Sequence, residues 1–359
     1  VRAFCIDDEA TTEIDDAFSV MPREGGGWRI GIHIAAPALG IAPDSSLDVA
    51  ARGRLSTVYF PGDKITMLPP PAIDAFTLAA GDARPVLSLY LDVDAECAVV
   101  GSESRCERVA VAANLRHGAL EDRFTAEALT AGVVDHDYGA EIGVLWRLAQ
   151  QLQAARGKAD PAAEQQRTEY NYYVENGRVR IVERRRGSPI DKVVAELMIR
   201  ANADWGGVAR MTTAPAPHDG LGVAQYAWSS SPLRRYVDLI NQRQLLALFA
   251  GAPAVYAPND AGLLAALREF ELAYDSYAEF QRMMERYWCL RWIEQEGVGA
   301  LDATVVRDSL VRFERLPLVI RVPSLRDAAT GDRVRIALSR LDLWELSVHG
   351  EPAPAEADK

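Results

Sequence analysis

Six acidic side chains stand within ten consecutive residues near the start of the chain, in "FCIDDEATTEIDDAF" (residues 4–18): Asp7, Asp8, Glu9, Glu13, Asp15 and Asp16. Like charges this close raise one another's pKa unless something positive sits among them. The residues threaded around them (Phe4, Ile6, Ile14, Ala17, Phe18) are apolar, unlike those of a solvated acidic loop. Oxygen donors converging without His or Cys suit Mg2+ or Mn2+ and not zinc. An EF-hand does not fit, because its central glycine and alternating Asp/Asn pattern are missing. A capped, solvated turn fits the spacing alone as well as a cation site does.

A second group with chemistry in it is "SSSPLRRY" (229–236). Serines ahead of a helical run, with Arg234 and Arg235 beside the first turn, suit an anion: helix N-termini present N–H groups, and guanidinium forks grip a phosphodiester. The alternative is a plain serine cap whose arginines pair with Asp238 or Asp191. Glu196 in "VVAELMI" and Glu285 in "MMERYW" sit among apolar or aromatic residues, where a carboxylate is costly unless paired. A buried ion pair with an arginine fits both. Tyr59 and Phe60, in a Pro-rich loop, suit base stacking or the core. His33, in "IGIHIAA", reads as structural.

The elements that must position these residues follow from periodicity and punctuation. Residues 1–7 read as a strand entering the acidic loop, and "DDAFSV" with "WRIGIHIAA" as a hairpin about "REGGG". "DSSLDVAARGRL" is a capped helix, with Asp44 or Ser45 as the cap. "RPVLSLYLDVDAE" and "SRCERVAVAANL" continue the sheet. Residues 126–156 read as mostly helical to near Gly157, and "EYNYYVENGRVRIVERRR" as a hairpin around Asn176-Gly177. A helix spans Pro189 to Met211. Another follows the serines, with Pro232 in its first turn. Residues 260–296 read as one long helix, whole or broken. Five short β-like stretches over 300–348 suit a small barrel of the OB type.

Composition sets the bounds. The 359 residues suit about two domains, and 49% hydrophobic with 25% charged residues is an ordinary globular balance. No apolar run spans a membrane and no signal peptide precedes Val1, so a cytoplasmic protein is expected. Cys5, Cys97, Cys106 and Cys289 lack metal-like spacing and read as reduced thiols. A net charge of -12 excludes a general nucleic-acid coat and leaves room for a local basic channel, built mostly of arginine.

Taken in order, "IDDEATTEIDDAF", "HIAAPALGIAPDSSLDVAARGRLSTVYFPGDKITMLP", "VVAELMIRAN", "PHDGLGVAQYAWSSSPLRRYVDLINQR" and "MMERYW" resemble the ribonuclease II (RNB) family of 3′→5′ exoribonucleases. The resemblance implies an α+β fold. An RNB catalytic domain (1–297), a central mixed sheet wrapped by helices, precedes an OB-type RNA-binding barrel (298–350) and a disordered tail (351–359). It implies a channel admitting one RNA strand, with Mg2+ (or Mn2+) held at its blind end. Asp7, Glu13, Asp15 and Asp16 fall on the family's four acidic positions, as metal ligands and catalytic residues. Arg234 falls on the arginine that stabilises the scissile phosphate. Tyr59 matches the aromatic near the 3′ end, Glu196 and Glu285 match acids that contact the terminal nucleotides or orient the arginine, and His117, Arg235 and Tyr236 complete the expected RNA contacts.

The implied reaction is metal-assisted hydrolysis of single-stranded RNA to nucleoside 5′-monophosphates, by a monomer with no obligate protein partner. A catalytically silent RNB-fold RNA-binding or interaction protein is the alternative, and a DNA-directed nuclease is a third reading. Three departures stand out. Glu13 occupies a position where many members carry Asp, His117 stands where a tyrosine is common, and "PAAEQQRT" before Glu169 lacks the usual clamping phenylalanine. The upstream RNA-binding domains of the family are also missing, so the chain reads as a fragment or reduced form.

Overall fold

A computed structural model describes residues 2–9, 11–157, 168–185, 187–209, 221–257 and 260–353. Strands β1 (Ala3–Asp7), β2 (Asp16–Pro22) and β3 (Trp28–Ala35) lead into helix α1 (Ser46–Arg54). A short hairpin, β4 (Val58–Phe60) and β5 (Asp63–Ile65), and helix α2 (Pro70–Phe76) precede the long strands β6 (Ala83–Val93) and β7 (Val99–Arg116). Helices α3 (His117–Leu120), α4 (Ala126–Ala131) and α5 (Gly139–Ala155) come next, then the hairpin β8 (Thr168–Glu175) and β9 (Arg178–Arg185). Helices α6 (Pro189–Ala209), α7 (Tyr236–Phe249) and α8 (Ala261–Glu296) follow. The last strands are β10 (Ala300–Arg307), β11 (Leu310–Phe313), β12 (Val319–Arg321), β13 (Arg333–Asp342) and β14 (Ser347–Pro352). Among the described residues no helix is long and apolar enough to cross a membrane.

The chain divides into two compact units. The first comprises Val1–Thr57, Thr66–Gln165 and Gly187–Ala273. Its centre is a closed barrel in the order β1-β2-β3-β6-β7, antiparallel except where β1 lies parallel to β7 and closes it. Alternate side chains along the strands serve two cores, as the two-residue strand period requires. Phe4, Ile6 and Phe18 join residues of α5 and α6, while Ala3, Cys5 and Ala17 join residues of α1, α2 and α7. Because both faces are covered, β3 is buried over most of its length and reads as a nearly unbroken apolar run. His33 lies inside, bonded to the hydroxyls of Ser19 and Ser88 at 2.8 Å each, and burial lowers its pKa to about 4. It is a neutral structural residue.

Glycine is required at one turn of this barrel. Gly27, at φ +79, ends the "REGGG" connection, and a Cβ there would stand 2.1 Å from the Val93 carbonyl oxygen. Helix α1 starts at the expected cap, with the Ser45 side chain accepting from the Asp48 N–H. The helical stretch expected over 126–156 is two helices, separated at Gly132 (φ +69).

The second unit comprises Val58–Ile65, Gln166–Arg186 and Tyr274–Lys359. Its five-stranded sheet runs β12-β11-β10-β13-β14, with β10 pairing both β11 and β13, the order of an OB barrel. Val305, Phe313, Ile320 and Ile336 fill it together with Cys289, Leu290 and Ile293 of α8. The β8–β9 hairpin turns on Asn176 and Gly177, both at positive φ (51 and 73), as the Asn-Gly signal demands. Helix α8 is continuous and its first residues, to Ala273, belong to the first unit. Along α8 the units divide after Ala273, and Val58–Ile65 and Gln166–Arg186 also belong to the second unit. Glu351 and Pro352, expected in the tail, pair with Ala337 and Ile336 in β14, and residues 354–359 lie outside the described residues.

Candidate active site

The acidic stretch joins the ends of two barrel strands. Asp7 is the last residue of β1 and lies opposite Arg116 of β7, and Asp16 is the first residue of β2. The register Phe4↔Phe18 places Asp7 and Asp15 three residues further along, across from one another. Between them the loop is strapped down. Thr77 Oγ1 accepts from the Ile14 N–H at 2.9 Å and donates to the Thr12 carbonyl at 2.8 Å, while the Leu78 N–H donates to the Ile14 carbonyl at 3.0 Å. Arg116 donates to the Asp8 carbonyl at 2.8 Å. The apolar residues of the motif are therefore core, and Asp7 and Asp16 stand at the ends of adjacent strands.

The segment before α7 faces these acids. Asp15 Oδ1 accepts the Leu233 N–H at 2.8 Å, and Arg234 Nε lies 3.5 Å from Asp15 Oδ2. Arg234 also donates to Ser231 Oγ at 2.8 Å, and its carbonyl accepts the Thr57 N–H at 2.9 Å. The serines are not a helix cap, contrary to expectation. α7 begins at Tyr236 with Arg235 at its cap position and no side-chain cap, and ahead of it the Ser231 N–H is taken by Asp238 Oδ1 at 2.9 Å and the Leu233 N–H by Asp15. The anion-holding potential of this segment thus rests on the Arg234 side chain and not on a bare helix N-terminus.

Electrostatics bind the set together. Burial pushes the Asp7 carboxyl up to about 7, with Asp15 and Asp8 adding to the rise and Arg116 and Arg234 opposing it. Burial and the neighbouring Asp7 push Asp16 up to about 8, against Arg234. Asp15 is raised well above the carboxylate range by burial, with Arg234 and the Leu233 N–H pulling the other way. Asp7 Oδ2, Asp15 Oδ2 and Asp16 Oδ2 are all buried without a hydrogen bond. A buried carboxylate oxygen without a hydrogen bond on each of Asp7, Asp15 and Asp16, with no nitrogen or sulfur donor among them, is the donor type that suits a hard divalent cation, and Arg234 stands beside Asp15. A model of the RNB domain family matches residues 1–209 and 205–251. The chain belongs to the RNB domain family.

Known relatives agree in extent. Exoribonuclease 2 of Edwardsiella piscicida is 26% identical over 327 residues, covering 69% of this chain and 50% of that protein. RNase R of Mycoplasma genitalium superposes with a TM-score of 0.78 at 14% identity, over 98% of this chain and 71% of that one. Yeast Ssd1, described as a pseudonuclease, superposes with a TM-score of 0.68 at 16% identity, over 94% of this chain and 49% of that one. The likeness of both structures concerns the fold. The chain spans 57% and 50% of the lengths of two curated relatives it matches.

The remaining expected site residues of this RNB chain fall in several places. Glu13 is buried, its Oε1 accepting from Thr57 Oγ1 at 2.5 Å, and Thr57 Oγ1 in turn accepts the Met67 N–H at 2.9 Å. Glu196 pairs with Arg156 through both carboxylate oxygens, and Arg156 also donates to the Leu221 carbonyl. Arg235 donates to Asp238 at 2.8 Å and stacks 4.6 Å over the Trp228 ring, which is the pairing the plainer reading of "SSSPLRRY" anticipates. Tyr236 is 3% exposed, with its hydroxyl donating to Asp48 at 2.9 Å, so it is packed in the core and not presented to a ligand.

Tyr59 and Glu285 belong to the second unit. Tyr59 is 38% exposed on β4, with Lys64 5.8 Å over its ring; Glu285 is half-buried on α8, its pKa raised by burial and by Glu169. The segment "PAAEQQR" and the start of "PHDGLGVAQ" lie outside the described residues. His117, expected at an RNA contact, lies 3.7 Å from Asp191, and with Glu121 these are, among the described residues, a set whose ligating atoms lie within 4.8 Å of one another. That set includes a nitrogen donor and differs in kind from the oxygen-only aspartates. Thr57, Thr77 and Arg156 were not legible as partners of these acids and of their loop, being ordinary in type and placed by tertiary contacts.

Proposed function

We propose that this chain is the catalytic part of an exoribonuclease that hydrolyses single-stranded RNA from the 3′ end to nucleoside 5′-monophosphates. The observation that carries this reading is the buried carboxylate oxygen without a hydrogen bond on each of Asp7, Asp15 and Asp16, with Arg234 Nε 3.5 Å from Asp15 Oδ2. Asp7, Asp15 and Asp16, with Glu13 behind them, would hold Mg2+ or Mn2+. When bound, such a cation offsets charge on the phosphate oxygens and makes a water more acidic. The protein's own part is positional. Asp15 holds the Leu233 N–H and the Arg234 Nε, and Ser231 Oγ accepts from a second guanidinium nitrogen, so the cationic group is fixed beside the aspartates where a charged donor would meet a phosphate oxygen. The low-dielectric wall of the barrel strengthens each of these interactions.

Tyr59 is assigned to stacking on an RNA base, and Glu285 and His117 to RNA contacts. The barrel over 298–350 is assigned to the RNA strand. We place the protein in the cytoplasm as a monomer.

The test uses 5′-labelled single-stranded RNA with Mg2+, with a free or a blocked 3′ end and with DNA in a parallel arm. Successive shortening from a free 3′ end, abolished by the block, is the expected result. Internal cuts would contradict the reading. Unaltered RNA that nevertheless stays bound would favour the catalytically silent alternative, to which the likeness to a pseudonuclease fold gives weight.

A further inference from the structure

Asn202 is buried on α6, 1% exposed, and every polar atom of its side chain is spent on one irregular stretch of chain. Its Oδ1 accepts the Ser229 N–H at 2.9 Å and the Ser229 hydroxyl at 3.2 Å. Its Nδ2 donates to the Tyr226 hydroxyl and to Ser230 Oγ, at 3.0 Å each. Its backbone carbonyl accepts the Ala227 N–H at 3.1 Å. Residues 225–229 form no helix or strand, so one asparagine supplies the bonding that regular structure would otherwise give. Only an amide offers two donors and a two-lone-pair acceptor together in so small a side chain.

The stretch held this way leads directly to the arginine. Ser231 accepts from Arg234, its N–H is held by Asp238, and Leu233 and Arg234 then meet Asp15. α6 and the stretch are in backbone contact one turn on, where a Cβ on Gly206 would lie 2.8 Å from the Ala227 nitrogen.

We propose that Asn202 is a positioning residue: it anchors residues 226–230 so that Arg234 meets Asp15 in the geometry needed for phosphate. The inference rests on the proposed role of Arg234 and adds the residue that sets it. Displacements of about 1 Å can cost on the order of 100-fold in rate. An effect on the chemical step larger than that on RNA binding is therefore expected.

Single-turnover cleavage at saturating single-stranded RNA, and RNA dissociation constants, are compared for Asn202→Ala, Arg234→Ala and the double variant. Asn202→Ala is expected to slow cleavage about 10- to 100-fold while the dissociation constant changes less than about 3-fold. Residues acting as one unit are non-additive, so the double variant should cleave at the rate of Arg234→Ala alone. Multiplying losses, or a parental rate for Asn202→Ala, would overturn the proposal. Tyr226→Phe removes one bond of the set and serves if Asn202→Ala does not fold. Its expected loss is about 2- to 5-fold, vanishing in the Arg234→Ala background, and a loss that persists there would count against the proposal. If the unaltered protein cleaves nothing, the functional reading fails by itself. Positioning is then read from amide exchange at Leu233, expected to quicken at least about 10-fold in Asn202→Ala and contradicted by unchanged exchange.

Discussion

Asp7, Asp15 and Asp16 keep buried oxygens that the protein does not bond, and the fold tolerates them at a cost in stability. The sign of that cost is fixed by the raised pKa values. Asp7 and Asp16 titrate near about 7 and about 8 when folded, against about 4 for an unfolded Asp. Between these limits the folded chain binds more protons at these two groups than the unfolded one, so their contribution to stability is complete below about pH 4 and is lost as pH rises through the folded values. Melting of cation-free protein should therefore fall by several degrees between about pH 6 and about pH 8.5, and Mg2+ or Mn2+ should restore more at the higher pH. A melting temperature indifferent to both would mean that the acids are compensated in some other way.

Glu196 illustrates a different legibility. Its cost in an apolar helix, and the need for an arginine, follow from "VVAELMI", but nothing in the spacing names Arg156, 40 residues earlier, as the partner. Glu196→Gln should cost about 2–4 kcal/mol by denaturant unfolding, since it strips a buried pair of one charge. A loss under about 0.5 kcal/mol would show the pair to be dispensable.

At the scale of elements, the hairpins, the β10–β14 sheet and the capped helix α1 were legible because turn residues and caps act locally. The start of α7 was not. Serines followed by proline resemble an N-terminus, yet the helix opens only at Tyr236, and the Leu233 N–H ahead of it is held by Asp15, 218 residues away in the sequence. Likewise, apolar periodicity predicts a sheet but not the parallel β1–β7 pairing that closes it into a barrel. The approach of α6 to residues 226–227 gives an element-level prediction. Gly206→Ala favours the helix by about 1 kcal/mol, but its Cβ would stand 3.0 Å from the Tyr226 carbonyl carbon as well as against Ala227. The stretch must move, so cleavage should fall about 10-fold with the melting temperature within a few degrees of the parent. A parental rate would show that the stretch can shift without disturbing Arg234.

For the molecule as a whole, a net charge of -12 coexists with exposed arginines on the second unit's sheet, two of them, Arg333 and Arg335, paired with Glu314 and Asp302. On the sheet of the second unit, Arg312 and Arg333 both lie opposite Thr304, and Arg312, Arg321, Arg333 and Arg335 are exposed. Charge totals therefore say little about phosphate contacts, which depend on where arginines gather. Family membership and the order of the motifs were readable from the amino acids alone; the division of α8 between two units was not, because compactness is a property of contacts and not of composition. The claim joining these scales is that the aspartates and Arg234 form a cation-dependent phosphodiester site. Single-turnover cleavage of single-stranded RNA by Asp16→Asn, with RNA binding measured alongside, tests it most directly. Cleavage should drop by at least about 100-fold, a loss of about 3 kcal/mol or more, because the variant keeps the side chain's shape and removes its charge. RNA binding should hold or tighten as a negative charge facing phosphate disappears. Cleavage by Asp16→Asn at the parental rate would contradict the account.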